Sequence, residues 1–278
     1  MPFFGFFTVI IELCIFIGLG RFPGRSCVAL SRRGKLGASC RVKVPVGRKV
    51  SNGFLSGVPT TRIFEKTTMP ESLIIDLSHT KPENKVLGFS GSPRKNGNSD
   101  ILLKTIISGV KQLSIPATTW NLTDVQFKGC IGCEQCRKTK ICTGLIDGMT
   151  SLYPKLYSSK GLVLVSPTHN YNITSWMKAF IDRLYCFYTF ENNRPRSWSS
   201  QLGNQNRKAV VAAICEQESV EDMGFTLEAM KAPLKALGYE IIGELSVFRI
   251  FDKAKVKNDE RAMDDAYKLG QKLANELK

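Results

Sequence analysis

From Lys85 to the C-terminus the chain alternates, five times over, between a short apolar run and a segment with apolar residues at helical spacing. "KVLGFSGS" (85–92) is continuous and apolar, as a buried strand is. "NSDILLKTIISGVKQL" (98–113) follows with helical periodicity and Ser99 as candidate N-cap. "ATTWNLTDV" (117–125) reads as a second strand, and a helix is predicted around 149–158. "GLVLVSP" (161–167) lacks polar alternation, so both its faces are expected to be covered. "SWMKAFIDRLYCF" (175–187) is amphipathic, with Trp176, Phe180, Ile181 and Leu184 sharing a core-facing stripe. "RKAVVAAICEQ" (207–217) is a fourth strand, and 220–237 a helix that Pro233 kinks or restarts. "YEIIGELSVF" (239–248) is a fifth strand, and 258–277 a closing helix. The alternation predicts an α/β fold: a doubly wound five-stranded parallel sheet with helices on both faces. Ligands of such sheets bind beyond the carboxyl ends of the strands, where strand order reverses. The loops after strands one, three and four are therefore the places to look for function.

The first of these, "GFSGSPRKNGNS", leads directly into a helix. Gly91 and Gly97 permit tight turns, Ser90, Ser92, Asn98 and Ser99 supply short donors, and Arg94 adds a cation. With the helix N-terminus behind them these make a phosphate cradle. The loop is neither GxxxxGK[ST] nor GxGxxG, which disfavours a nucleoside triphosphate or a conventional dinucleotide site.

"GCIGCEQCRKTKIC" gathers four thiols as Cys130-x2-Cys133-x2-Cys136-x5-Cys142. A disulfide knot belongs to small secreted domains. Structural zinc uses two well-separated CxxC pairs. Three cysteines at successive threes with a close fourth suit a compact iron–sulfur cubane better, although the last spacing and Thr143 depart from the bacterial ferredoxin run. Gly129, Gly132 and Gly144 allow close backbone approach, while Arg137, Lys138 and Lys140 either offset the cluster's charge, meet an acidic partner, or simply face solvent. Cys186 and Cys215 lie in apolar stretches and read as core residues.

"GSPRKNGNS", the cysteine loop and "SPTHNYNITSWMKAFIDR", in that order, resemble the flavodoxin-like NAD(P)H-dependent flavin reductases, and the compact cysteine motif resembles that of the iron–sulfur flavoproteins within them. The resemblance spans roughly 85–278 and implies a flavodoxin-like fold with FMN and a [4Fe–4S] cluster as cofactors and NAD(P)H as co-substrate. It implies that Ser90, Ser92, Arg94, Asn98 and Ser99 hold the FMN phosphate. It implies that Pro167, Thr168, His169, Asn170, Tyr171 and Asn172 line the flavin ring, and that Cys130, Cys133, Cys136 and Cys142 ligate the cluster. Chemically, Pro167 ends its strand, the Tyr171 ring can cover a flavin face, and Asn170 and Asn172 can serve the polar edge. His169 is expected to hydrogen-bond locally rather than to move protons. Cys215, Glu216 and Gln217 are positioned to close the site. No side chain is assigned as nucleophile or general acid.

The resulting expectation is an FMN-dependent oxidoreductase passing electrons between NAD(P)H or a ferredoxin, FMN and the cluster to an acceptor. A cluster-free NAD(P)H-dependent flavin, quinone or nitro reductase and a non-enzymatic flavodoxin-like carrier are the alternatives. Partners are then a small-molecule or ferredoxin-type donor and acceptor, with a homodimer or higher homo-oligomer as the assembly. The polar segment 189–206 is a candidate subunit interface or lid.

The chain's net charge of +15 sits mostly in residues 1–68, where 11 Lys+Arg face 2 Asp+Glu. The remainder shows no basic stripe interleaved with aromatics, which argues against a nucleic-acid partner. Residues 3–19 are apolar but for Glu12, and the basic charges follow the run rather than precede it. Residues 1–68 are expected to be a mis-assigned start before Met69, a membrane anchor or a targeting segment. Membrane contact is expected only through residues 3–19, and the folded domain, 69–278 with a cysteine-loop insertion at 127–148, is otherwise expected to be cytoplasmic.

Overall fold

The computed structural model describes residues 77 and 80–278; the anchor and targeting expectations for residues 1–68 lie outside the described residues. Strand β1 (Glu83–Ser90) runs into helix α1 (Asn98–Gln112) and returns as β2 (Ala117–Asn121). After the short α2 (Cys136–Thr139) come α3 (Gly148–Ser158), β3 (Ser159–Pro167) and α4 (Ser175–Arg183). A small hairpin, β4 (Tyr188–Phe190) and β5 (Trp198–Ser200), precedes β6 (Arg207–Ile214). The chain ends with α5 (Val220–Met223), α6 (Thr226–Ala236), β7 (Tyr239–Val247) and α7 (Glu260–Glu276). Five strands pair in parallel in the order β2-β1-β3-β6-β7. This is the flavodoxin-like order, with its reversal between β1 and β3.

Side-chain alternation along the strands sorts the core into two layers. Leu87, Phe89, Leu162, Leu164, Ala209 and Val211 join Leu152 and Leu156 of α3, Phe180 of α4 and Leu234 of α6. Val86, Val163, Val165, Val210 and Ala212 join Leu102 and Ile106 of α1 and Leu273 of α7. Strand β3 is thus covered on both faces, as its unbroken apolar run required. Helices α1 and α7 lie backbone to backbone: a Cβ on Gly270 would overlap the Ile106 carbonyl. Arg207 is buried at the start of β6, where its guanidinium donates to the carbonyls of Leu156, Tyr157 and Ser159 and so closes the C-terminal end of α3.

Several local expectations are corrected. Helix α1 is capped by Gly97, with Ser99 already inside it, because the Asp100 carboxylate accepts from the Asn96 N–H and fixes the turn one step earlier. Strand β2 stops at Asn121, whose side-chain oxygen accepts from the Thr123 N–H and starts a 3-10 turn. The helix predicted over 220–237 is broken at Gly224 (φ +56), while α6 runs on through Pro233. Trp176 is 40% exposed and stands outside the core that Phe180, Ile181 and Leu184 do enter. The polar segment 189–206 holds the β4–β5 hairpin. Among the described residues no helix is long and apolar enough to cross a membrane.

Candidate functional site

The loop after β1 packs against the loop after β3 at the point where strand order reverses. The Thr174 hydroxyl donates to the Gly91 carbonyl at 2.7 Å and accepts from the Met177 N–H at 3.2 Å, so one side chain caps α4 and joins the two loops. The Ser166 hydroxyl accepts from the Thr174 N–H. Gly91 and Gly97 serve by being small, not by turning: neither has positive φ, and the left-handed position is Asn96 (φ 53). A Cβ on Gly91 would sit 2.9 Å from Thr174 Oγ1, and one on Gly97 would sit 2.7 Å from the Arg94 carbonyl.

Within this loop Ser90, Ser92 and Ser99 are buried and Arg94 is exposed. The Ser92 hydroxyl accepts from the Arg94 N–H at 3.2 Å. With glycine at the cap position no side chain covers the first N–H groups of α1, which therefore stay free for an anion. Arg94 donates to the Phe251 carbonyl at 3.0 Å and lies over the Phe251 ring. Asn98 uses both ends of its amide on the same stretch, donating to the Asp252 carbonyl and accepting from the Val256 N–H. Its side chain ties down the loop after β7, so what it offers an anion is its backbone N–H.

The loop after β3 is a tight two-residue turn. The His169 N–H donates to the Asn172 carbonyl at 2.8 Å and the Asn172 N–H returns the bond at 3.1 Å, with Asn170 (φ 50) and Tyr171 (φ 63) both left-handed. Asn adopts that conformation readily; a bulky aromatic does so at a cost of about 1 kcal/mol. The strain is held by the α5–α6 junction, where the Phe225 N–H donates to the Tyr171 carbonyl at 2.8 Å and a Cβ on Gly224 would sit 2.5 Å from that oxygen. Thr226 donates to the Met223 carbonyl, leaving Thr168 as the donor in the 3.1 Å Thr168–Thr226 bond. The Tyr171 ring is left 59% exposed. Partial burial, and then the Arg94 charge on the neighbouring loop, lower the His169 pKa.

Cys215 is buried, as expected of a core cysteine. Glu216 and Gln217 line a separate open cavity of about 730 Å³ with Arg249, Phe251 and Lys255. They border the phosphate-type loop through Phe251.

The four predicted cysteines, Cys130, Cys133, Cys136 and Cys142, all line one pocket of about 250 Å³, together with Ile131, Leu145, Arg183 and Tyr185. Burial, and then the neighbouring thiols Cys142, Cys130 and Cys133, push the Cys136 thiol up to about 11. Gly132 takes positive φ (+66), and Gly144 packs so closely that a Cβ there would sit 2.5 Å from Cys133 Sγ. All six described cysteines are free thiols. Among the described residues no group of three or more His, Cys, Asp or Glu side chains is arranged to hold a metal ion, so the four thiols share a pocket without forming a finished single-ion site. Of the three basic residues in this loop, Arg137 pairs with Glu134 and lies over the Phe190 ring, while Lys138 and Lys140 face solvent. Gln201 bonds the carbonyls of Lys140 and Cys186, fastening the segment after the hairpin to the cysteine loop.

The residues that sequence reasoning missed are those that brace the loops. Asn121 donates to the Ser92 carbonyl and to Asp100. Arg183, 2% exposed, forks onto Asp147 at 2.7 and 3.0 Å. The only sequence signals were an Asp at an N-cap position and an Arg on the polar edge of an apolar helix.

The strand order and the loops at its reversal define a flavodoxin-like α/β protein with a phosphate-type cradle. Residues 84–218 match the sequence profile of the NADPH-dependent FMN reductase family. It is 25% identical over 201 residues to an iron-sulfur flavoprotein of Methanocaldococcus jannaschii, covering 70% of this chain and 97% of that one. It is 30% identical over 99 residues to an iron-sulfur flavoprotein of Clostridioides difficile, covering 35% of this chain and 44% of the other. Its fold is similar to that of an FMN-dependent NADH-azoreductase from Bacillus anthracis solved in complex with FMN, at TM-score 0.52 and 19% identity, over 69% of this chain and 100% of that one.

Proposed function

We propose that the protein binds both FMN and a [4Fe–4S] cluster and passes electrons between NAD(P)H or a ferredoxin and a further acceptor. The observation that carries this reading is that one domain presents a phosphate-type cradle at the switch point and, separately, four cysteines around a single pocket. The cradle fits a phosphate: Gly97 leaves α1 without a side-chain cap, and a Cβ there would fill the turn. The pocket's donor set, four thiols with close-packed glycine backbone, fits an iron–sulfur cluster. The relatives named iron-sulfur flavoproteins support it as well.

When bound, FMN supplies two-electron hydride chemistry and the cluster one-electron transfer. The chain's own residues hold and orient. Ser90, Ser92, Arg94, Ser99 and the N–H groups of Asn98 and its neighbours hold the phosphate. Pro167, Thr168, His169, Asn170, Tyr171 and Asn172 line the ring, with Tyr171 as the aromatic cover. Cys130, Cys133, Cys136 and Cys142 ligate the cluster. No side chain serves as nucleophile or general acid. The proposed assembly is a homodimer or higher homo-oligomer, supported by the exposed Tyr171 and Phe225 side by side at the ring loop.

The test is anaerobic oxidation of NADPH and NADH by the FMN-loaded chain with a quinone or nitro-compound acceptor, followed at the nicotinamide absorbance band. Turnover is the expected result. No oxidation of either nucleotide with any acceptor would overturn the reductase reading in favour of a flavodoxin-like carrier.

A further inference from the structure

The cysteine loop is closed at its base by one buried ion pair. Arg183, at the C-terminal end of α4, donates to the Lys128 carbonyl at 2.7 Å, where the loop begins. Its fork reaches both carboxylate oxygens of Asp147, where the loop ends. Asp147 in turn accepts from the Lys128 N–H at 3.0 Å and caps α3 through the Met149 N–H, also at 3.0 Å. The Tyr153 hydroxyl accepts from Arg183 Nε at 3.1 Å, leaving little of the guanidinium unpartnered. The pair's side chains are 1% and 14% exposed. Arg183 also lines the wall of the cysteine pocket itself.

We infer that Arg183 is a positioning residue whose clasp with Asp147 and Lys128 sets the geometry of the four-cysteine loop before any metal arrives; its use for cluster assembly rests on the function proposed above. Three features support the inference. The loop between the clasped ends has a single four-residue helix and many exposed residues, and its other anchors, buried Ile141 and the Gln201 bond to the Lys140 carbonyl, lie in its second half, so the clasp is what holds its base. The bonds are to the loop's two termini, 19 residues apart, and not to its tip. The partners are a planar fork and a carboxylate, a pairing that fixes orientation as well as distance.

The experiment compares the iron-free full chain with Arg183→Gln and Arg183→Lys by amide hydrogen exchange, followed by anaerobic loading with ferric iron, sulfide and excess thiol, the thiol supplying the electrons that bring part of the iron to the ferrous state. The inference predicts that exchange at residues 128–147 accelerates roughly a hundredfold in Arg183→Gln, while the amides of β1, β3 and β6 keep wild-type protection. Arg183→Lys, which keeps the charge but loses the fork, falls between the two. Iron uptake per chain should follow the same order. Unchanged exchange in the loop of Arg183→Gln, or equal loss of protection in the sheet, would overturn the clasp. If the wild type takes up no iron, the cluster proposal falls, and the exchange comparison on the iron-free chain still decides the clasp by the same two results.

Discussion

Thr174 Oγ1 donates a 2.7 Å hydrogen bond to the carbonyl of Gly91, joining two loops that lie 83 residues apart in sequence. Thr174 is fully buried and also caps α4, so a single hydroxyl holds the phosphate-type loop against the ring loop. Thr174→Val removes both bonds at nearly constant volume. It should cost about 2 kcal/mol of stability, from a lost cap and an unsatisfied buried carbonyl. FMN affinity should fall by about fivefold if roughly half of that loss is felt on binding. Thr174→Ser should restore most of both, as read by urea denaturation and flavin fluorescence titration.

Tyr171 sits at φ 63 with its ring exposed, so its backbone strain is not repaid by burial. Tyr171→Asn should leave stability unchanged or raise it by up to about 1 kcal/mol, because Asn tolerates the left-handed region. The same variant should bind flavin more weakly. A parallel loss of stability and binding would mean that the ring is a packing residue and not a flavin cover.

Gly270 meets the Ile106 carbonyl across the α1–α7 contact. Gly270→Ala should destabilise the fold by roughly 3 kcal/mol, since the obstacle is backbone and cannot rotate away. Gly129→Ala is the control, because the nearest atom to its Cβ would be Ala179 Cβ at 4.0 Å; thermal unfolding of the pair checks both.

His169 has a lowered pKa in the folded chain, through partial burial and then through Arg94. The unfolded chain therefore binds a proton first, at about pH 6.5, and folding stability falls as pH drops through that value toward the folded one. His169→Asn should flatten this acid-side loss. Arg94→Gln should shrink it in part, because the second cause is removed. An unchanged stability slope below pH 6.5 in His169→Asn would show that His169 is not its source.

The strands were legible because burial on both faces leaves an unbroken apolar run, as in Leu162–Val165, and the helices because one face repeats, as in α1. The two candidate-site loops stood out through residue types: small donors before a helix, and four cysteines spaced to share a pocket. What stayed hidden depends on long-range partners. Trp176 fits the apolar period of α4 yet lies at its exposed first turn, which periodicity does not reveal. Gly91 and Gly97 looked like turn formers and are instead points of close approach, while Asn96 makes the turn. Arg183 and Asp147 are 36 residues apart, and neither announces the other. The break at Gly224 answers to Tyr171, more than fifty positions earlier in the chain.

The central claim is that one chain holds two redox groups at separate sites. It is tested most directly by counting FMN, iron and acid-labile sulfide per chain on protein purified without oxygen, beside Cys130→Ala. The account predicts one FMN and about four irons with matching sulfide in the wild type, and iron lost with FMN kept in the variant. A chain that carries FMN but no iron, or a Cys130→Ala variant with wild-type iron, would contradict it.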